Sequence, residues 1–269
     1  IIFKSINKLN KEVNFKANVG FVPTMGYLHN GHISLIRASK KSCKKTLVSI
    51  FINPSQFNKK NDFKTYPKNL KKDIATLKRL KVDYLLVPRV SEIYKNKKDK
   101  KIKLNKRDKI MCAFHRPGHF EGVLAVINQF LRKISPKFIF LGEKDYQQLL
   151  LIKKFINNRY KTKVYSCPTV RMKNKVALSS RNALLKKEDI KKSSYIANLL
   201  FKFRNKLIKD FSNKKYLSNI LIKISKIKNI KIEYLEIRSK INLSKRFNKY
   251  NFKIFVCYYN NKVRLIDNY

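Results

Sequence analysis

The sequence predicts an α/β fold: a parallel sheet with helices on both faces, followed by a smaller α+β domain. Two observations predict it. Over the first two-thirds of the chain, short apolar runs alternate with stretches of helical period, and near-continuously apolar strands are those buried on both faces. After Pro168 there is neither proline nor glycine, and helical patterns come before strand patterns, the order of an α+β unit. The domains are set at 1–171 and 172–269.

The strands of the first part are expected at 19–23, 46–52, 84–87, 138–141 and 163–167. Helices fill the gaps at 32–44, 68–80, 121–133 and 146–158. Over 68–80, Leu70, Ile74, Leu77 and Leu80 fall on one helical face. The stretch 95–110 is lysine-rich and weakly patterned, which predicts a solvated loop or an irregular hairpin. Beyond Pro168, helices are expected at 186–209 and 213–228, then strands at 231–238, 252–258 and 262–266.

Composition narrows the function. With 269 residues and 43% hydrophobic content, the chain has enough apolar material for one large or two modest cores. No apolar run approaches the roughly 20 residues of a membrane span, so no membrane partner is expected. The start, Ile1-Ile2-Phe3-Lys4, is too short for a signal-peptide core. Cys43, Cys112, Cys167 and Cys257 show no paired spacing, which speaks for a reducing cytoplasm and against a zinc knuckle or a disulfide framework.

The charge invites a different reading. Lys+Arg is 64 and Asp+Glu 16, a net of +48, and a basic protein is a candidate for nucleic-acid binding. But the lysines are dispersed and accompanied by abundant Asn, Ile, Phe and Tyr, residues with AT-rich codons. Compositional bias accounts for that pattern better than a selected polyanion surface does, so no specific nucleic-acid partner is expected. The same bias leaves six glycines, and each is expected to meet a backbone need or a close approach.

Five segments can carry chemistry. In Pro23-Thr24-Met25-Gly26-Tyr27-Leu28-His29-Asn30-Gly31-His32 a buried strand hands over to a helix, the place where free helix amides meet phosphate. Two ordinary surface histidines are the competing reading, and a zinc site the weakest, since His-x-x-His lacks the metalloprotease spacing. Ser49–Phe57 ends a buried strand in Asn53-Pro54 and presents Gln56 just beyond it. An amide there suits a hydroxyl- and carboxylate-bearing substrate; a plain turn is the alternative. His115-Arg116-Pro117-Gly118-His119-Phe120-Glu121-Gly122 is either an anion-friendly helix start or a Pro-Gly turn with incidental basic residues.

Gly142-Glu143-Lys144-Asp145-Tyr146-Gln147-Gln148 again joins a strand to a helix. Lys144 offers a compact cation for phosphate, and Asp145 a ligand for Mg²⁺ or a ribose hydroxyl, or merely an N-cap. Gln148 follows one turn on. Leu178-Ser179-Ser180-Arg181-Asn182 brings two hydroxyls and an arginine, a triphosphate clamp or a serine-capped helix start.

In this order the five segments closely resemble the pantothenate synthetase (pantoate–β-alanine ligase) family, of the "HIGH" nucleotidylyltransferase superfamily. The resemblance runs from about residue 19 to the end, where Arg264-Leu265-Ile266-Asp267-Asn268 matches the last strand. It implies a Rossmann-like domain, a smaller C-terminal domain that closes over the site, and a homodimer. It also implies a reaction in which pantoate and ATP, with Mg²⁺, give pantoyl adenylate, and β-alanine then gives pantothenate and AMP.

By motif, Met25, Gly26, Tyr27, Leu28, His29, Asn30, Gly31 and His32 would contact ATP, with His32 as proton donor and His29 beside it. Gly142, Glu143, Lys144, Asp145, Val170, Leu178, Ser179, Ser180 and Arg181 would also contact ATP, Lys144 and Arg181 stabilising the transition state. Gln56 and Gln148 would hold pantoate, and Gln56 also β-alanine. Two departures bear on loop geometry. Asn174-Lys175 stands where the family has Asp-Gly, and Ala113 stands for a glycine before Arg116-Pro117-Gly118-His119-Phe120.

Overall fold

The computed structural model describes residues 1–15, 17–58, 60–96, 102–157 and 159–269. The chain divides into two compact units. The N-terminal unit comprises Ile1–Glu143 and Gln147–Pro168, and the C-terminal unit Lys144–Tyr146 and Thr169–Tyr269.

The N-terminal unit runs β1 (Ile2–Phe3), α1 (Ile6–Glu12), β2 (Val19–Thr24), α2 (Asn30–Ser42), β3 (Lys45–Ile50), α3 (Lys60–Lys64), α4 (Leu70–Arg79), β4 (Tyr84–Leu86), α5 (Val90–Ile93), α6 (Met111–His115), α7 (His119–Ile134), β5 (Phe138–Gly142), α8 (Tyr146–Asn157) and β6 (Lys163–Cys167). All its strand pairs are parallel, in the order β1-β4-β3-β2-β5-β6. From β2 the sheet grows through β3 and β4, and then restarts on the other side of β2 with β5. The connections after β2 and after β5 therefore leave the same sheet edge on either side of the reversal, where ligands bind in open α/β sheets.

Strand alternation covers both faces of the sheet. On β2 the Phe21 ring lies 5.2 Å from Phe130 of α7. Its neighbour Val22 joins Leu35 and Ile36 of α2 and Leu77 of α4 in a separate buried cluster. This is the parallel, doubly covered sheet that the continuous apolar runs predict.

The C-terminal unit holds α9 (Lys187–Lys209), α10 (Leu217–Ser225), and the strands β7 (Ile230–Ser239), β8 (Phe252–Asn260) and β9 (Val263–Asn268). The strands form an antiparallel sheet in the order β7-β8-β9. Ile196, Leu200, Phe203 and Leu207 repeat at helical spacing along α9 and bury against Leu235, Ile237, Ile254 and Val256 of the sheet.

Several elements differ from expectation. β1 and α1 were not anticipated, because two apolar residues carry no period and α1 is mostly Asn and Lys. The second C-terminal helix is shorter than 213–228: a 3₁₀ stretch, Phe211–Tyr216, precedes α10. Within the predicted loop 95–110, residues 97–101 lie outside the described residues, and Lys106–Asp108 forms a single 3₁₀ turn. The end of the predicted helix 146–158, residue 158, also lies outside them. Among the described residues no helix is long and apolar enough to cross a membrane.

Candidate active site

The first motif forms a strained turn at the end of β2. The Thr24 hydroxyl donates to the Ser49 carbonyl of β3 at 2.8 Å and accepts from Gly26 N at 3.2 Å. Two consecutive residues are then left-handed, Gly26 at φ 81° and Tyr27 at φ 52°. Glycine accepts that geometry freely, whereas a tyrosine loses about 1–2 kcal/mol. Hydrogen bonds offset the loss. Tyr27 N and Leu28 N donate to the two carboxylate oxygens of Asp73 at 2.8 and 2.7 Å. Asp73 is buried on α4.

His29 is the N-cap of α2, its Nδ1 accepting from Gly31 N at 3.1 Å. The His29 amide donates to His32 Nδ1 at 3.3 Å, and the two rings lie 4.1 Å apart, centroid to centroid. A ring nitrogen that accepts a hydrogen bond carries no proton, so each neutral ring holds its proton on Nε2. One expectation is corrected here. Helix amides were expected to be free for phosphate, but the Gly31 amide of α2 donates to His29 Nδ1, and the amides of Tyr27, Leu28 and His29 just before the helix donate to Asp73 and His32. The donor chemistry of the histidine pair is therefore imidazole Nε2–H.

The second motif is held beside the first. Pro54–Gln56 is a 3₁₀ turn capped by Asn53, whose Oδ1 accepts from Ser55 N at 3.2 Å. Gln56 Nε2 donates to Met25 Sδ at 2.9 Å, and its Oε1 accepts from Asn53 Nδ2 at 3.3 Å. Met25 and Gln56, from separate motifs, are thus in contact.

The third motif clasps this turn from behind. His119 Nδ1 donates to the Gln56 carbonyl at 2.7 Å, and Asn53 Nδ2 to the Gly122 carbonyl at 3.0 Å. Gly122 fits so closely that a Cβ would lie 2.2 Å from the Ser55 carbonyl oxygen. Arg116 Nη1 bonds His119 Nε2 at 3.0 Å and its Nη2 lies 3.6 Å from Asp62. The anion-site reading of Arg116 and His119 gives way to a supporting one, because both side chains are engaged around the Gln56 turn.

At the end of β5, Gly142 is neither left-handed nor crowded by the chain. Gln147 is anchored, donating to the Ile110 carbonyl at 2.8 Å. Gln148 is half-buried on the first turn of α8. Burial pushes the thiol of Cys167, at the end of β6, up to about 11, and the Glu143 carboxylate adds to the rise. That thiol is protonated at neutral pH and is no nucleophile.

The remaining expected ATP contacts lie in the C-terminal unit, tied to β9. Asn268 Nδ2 donates to the Lys144 carbonyl at 2.9 Å, and Lys144 Nζ lies 3.7 Å from Asp145. Leu178 N donates to the Val170 carbonyl at 3.0 Å, closing a small hairpin bridged at Arg171 and Ala177. Arg171 fixes that hairpin to Asp267 at 2.7 and 2.8 Å and to the Asn268 carbonyl at 2.9 Å. Ser179 Oγ accepts from Arg181 N at 3.3 Å, and Ser179 N donates to Asn182 Oδ1. Adjacent residues of β9 thus organise Lys144, Val170 and the Leu178–Arg181 segment.

Asp73 was missed in the sequence. Its signal was present: Asp73, Leu77 and Leu80 share one helical stripe, an acid in register with apolar residues. Among the described residues, no group of three or more His, Cys, Asp or Glu side chains could hold a metal ion.

A sequence model of the family described as pantoate-beta-alanine ligase matches residues 1–269. The chain belongs to the pantoate–β-alanine ligase family. A Francisella tularensis subsp. novicida pantothenate synthetase is 40% identical, over 99% of this chain and 94% of that protein. A Buchnera aphidicola pantothenate synthetase is 44% identical over 79% of this chain and 77% of its own length. The solved pantothenate synthetase of Thermus thermophilus superposes with TM-score 0.91 at 29% identity, covering 100% of this chain and 98% of the other. The Francisella tularensis pantoate–β-alanine ligase, solved with beta-gamma ATP and beta-alanine, gives TM-score 0.84 at 37% identity, covering 100% and 97%.

The two departures from the family pattern have different consequences. Lys175 takes the left-handed φ of 70° that a glycine would take, so the hairpin keeps its shape under strain. Ala113 sits inside α6 without a left-handed φ. No glycine is needed there, and Met111 takes the positive φ of 45° instead.

Proposed function

We propose that this pantoate–β-alanine ligase works in two steps at the sheet edge where β2 and β3 end. A pantoate carboxylate oxygen attacks the α-phosphorus of Mg·ATP. The bond from that phosphorus to the bridging oxygen breaks, and pyrophosphate leaves with the electron pair. The β-alanine amine then attacks the acyl carbon, the bond to the phosphate oxygen breaks, and AMP leaves as the amide forms and the nitrogen sheds its proton. No protein nucleophile is needed; positioning and charge stabilisation carry the rate.

The observation that carries this reading is the 2.9 Å contact between Gln56 Nε2 and Met25 Sδ, which sets a hydroxy-acid-type amide against a nucleotide-type turn. Thioether sulfur is a weak acceptor, so a substrate oxygen exchanges for it readily. We assign pantoate to Gln56 and Gln148, and β-alanine to Gln56 as well. His32 Nε2–H, supported by His29, donates to the reacting phosphate. Lys144 and Arg181 supply the positive charge that the transition state needs, and the segments Met25–His32, Gly142–Asp145, Val170 and Leu178–Arg181 hold the nucleotide.

Mg²⁺ arrives with ATP as part of the substrate, and we assign Asp145 to it. A partly exposed single carboxylate suits an ion that keeps its waters and its phosphate ligands. A cytoplasmic location, a homodimer and closure by the C-terminal part belong to the same proposal.

Pantoate labelled with ¹⁸O in its carboxylate tests the chemistry. The adenylate route delivers one label to the phosphoryl group of AMP. AMP without label would exclude it.

A further inference from the structure

We propose that Asp73 is a positioning residue for adenylyl transfer, acting through the His29–His32 pair. This deepens the assignment of that pair to the reacting phosphate and rests on it. Successive backbone N–H groups in a turn can form one concavity that binds an anion. Here Gly26 and Tyr27 are the left-handed pair, and the Asp73 carboxylate fills the concavity with one oxygen on Tyr27 N and the other on Leu28 N. The carboxylate is 3% exposed and reaches across 46 and 45 residues of sequence from α4.

Two consequences follow for the histidines. The turn leads directly into the His29 amide, which in turn donates to His32 Nδ1. Fixing Tyr27 N and Leu28 N therefore fixes the backbone that sets the tautomer and tilt of His32. The occupied concavity also carries its own negative charge, so a triphosphate is kept off these amides and is left to the imidazole Nε2–H groups. Without the carboxylate, two amides would be vacant beside the reaction centre, and a phosphate could settle on them in the wrong place.

The test is a double-mutant cycle read by pantoate-dependent ATP–pyrophosphate exchange. Asn in place of Asp73 keeps the shape but removes one of the two acceptors. Asp73→Asn is expected to lower kcat about tenfold or more and leave the KM for pantoate within about twofold, since the Gln56 turn has separate anchors. In a His32→Ala background the same change is expected to cost no more than about threefold, because the interaction it serves is already gone.

Full multiplicative losses in the double variant, or a rise in pantoate KM matching the fall in kcat, would overturn the role of Asp73. If Asp73→Asn does not fold, Gly26→Ala replaces it, since its Cβ would sit 3.0 Å from Asp73 Oδ2. It is judged by the same coupling to His32. Wild-type protein without pantoate-dependent exchange would instead overturn the site assignment itself.

Discussion

Arg171 and Asp267, 96 residues apart in sequence, meet in a two-pronged contact in which Nη1 reaches Oδ2 at 2.7 Å and Nη2 reaches Oδ1 at 2.8 Å. The guanidinium also lies over the Phe201 and Tyr269 rings, 4.9 and 4.8 Å from their centroids. Burial alone would lower its basicity, but Asp267 outweighs that and holds it above the ordinary arginine range.

Because Arg171 is largely shielded from water, removing its partner leaves a buried charge. Asp267→Asn should lower the unfolding free energy by roughly 3–5 kcal/mol, the cost of breaking one side of a buried pair. Urea unfolding followed by circular dichroism measures it. A loss below about 1 kcal/mol would place the pair with exposed surface bridges.

Alkaline pH should unfold the protein by a stated route. Burial raises the Tyr269 hydroxyl well above its ordinary 10.0, with the Asp267 carboxylate adding to the rise, and burial raises Cys167 from 9.0 to about 11. Groups raised in the folded state stabilise it fully below their unfolded values, and that stability is lost as pH climbs toward the folded ones. Stability should therefore hold up to about pH 9 and fall beyond it. Cys167→Ala should flatten the fall between pH 9 and 11, and Tyr269→Phe the fall above pH 10. Unchanged slopes in both variants would contradict this.

Lys175 tests the strained hairpin. At φ 70°, with its ammonium 5.5 Å from the Phe201 ring centroid, it trades conformational strain for a weak cation–π contact. Lys175→Gly should stabilise by about 0.5–1 kcal/mol, which raises Tm by a few degrees. Scanning calorimetry reads it.

The parallel sheet was legible because its strands are continuous apolar runs, as in Val19-Gly20-Phe21-Val22 and Leu47-Val48-Ser49-Ile50. The motifs after β2, β3 and β5 were legible because each follows such a strand. What joins them was not. Asp73 serves backbone amides 45 and 46 residues away, and an amide leaves no trace in sequence. His119 likewise bonds the Gln56 carbonyl 63 residues back, so its motif suggested an anion site rather than a clasp. The use of β9 to seat Lys144 depends on a side-chain amide 124 residues downstream.

The clasp itself can be broken by one methyl group. In Gly122→Ala the new Cβ would meet the Ser55 carbonyl oxygen at 2.2 Å and Gln56 N at 2.8 Å. Both are backbone, so the Gln56 turn must move. Steady-state kinetics should show the pantoate KM raised at least about tenfold, with the ATP KM changed less. Equal rises in both would mean that the whole edge had shifted.

The central claim is that this sheet edge adenylates a small hydroxy acid. Exchange of labelled pyrophosphate into ATP tests it most directly. Exchange should require pantoate, and adding β-alanine should yield pantothenate and AMP in equal amounts. Exchange that proceeds undiminished without pantoate, or none when pantoate is present, would contradict the claim.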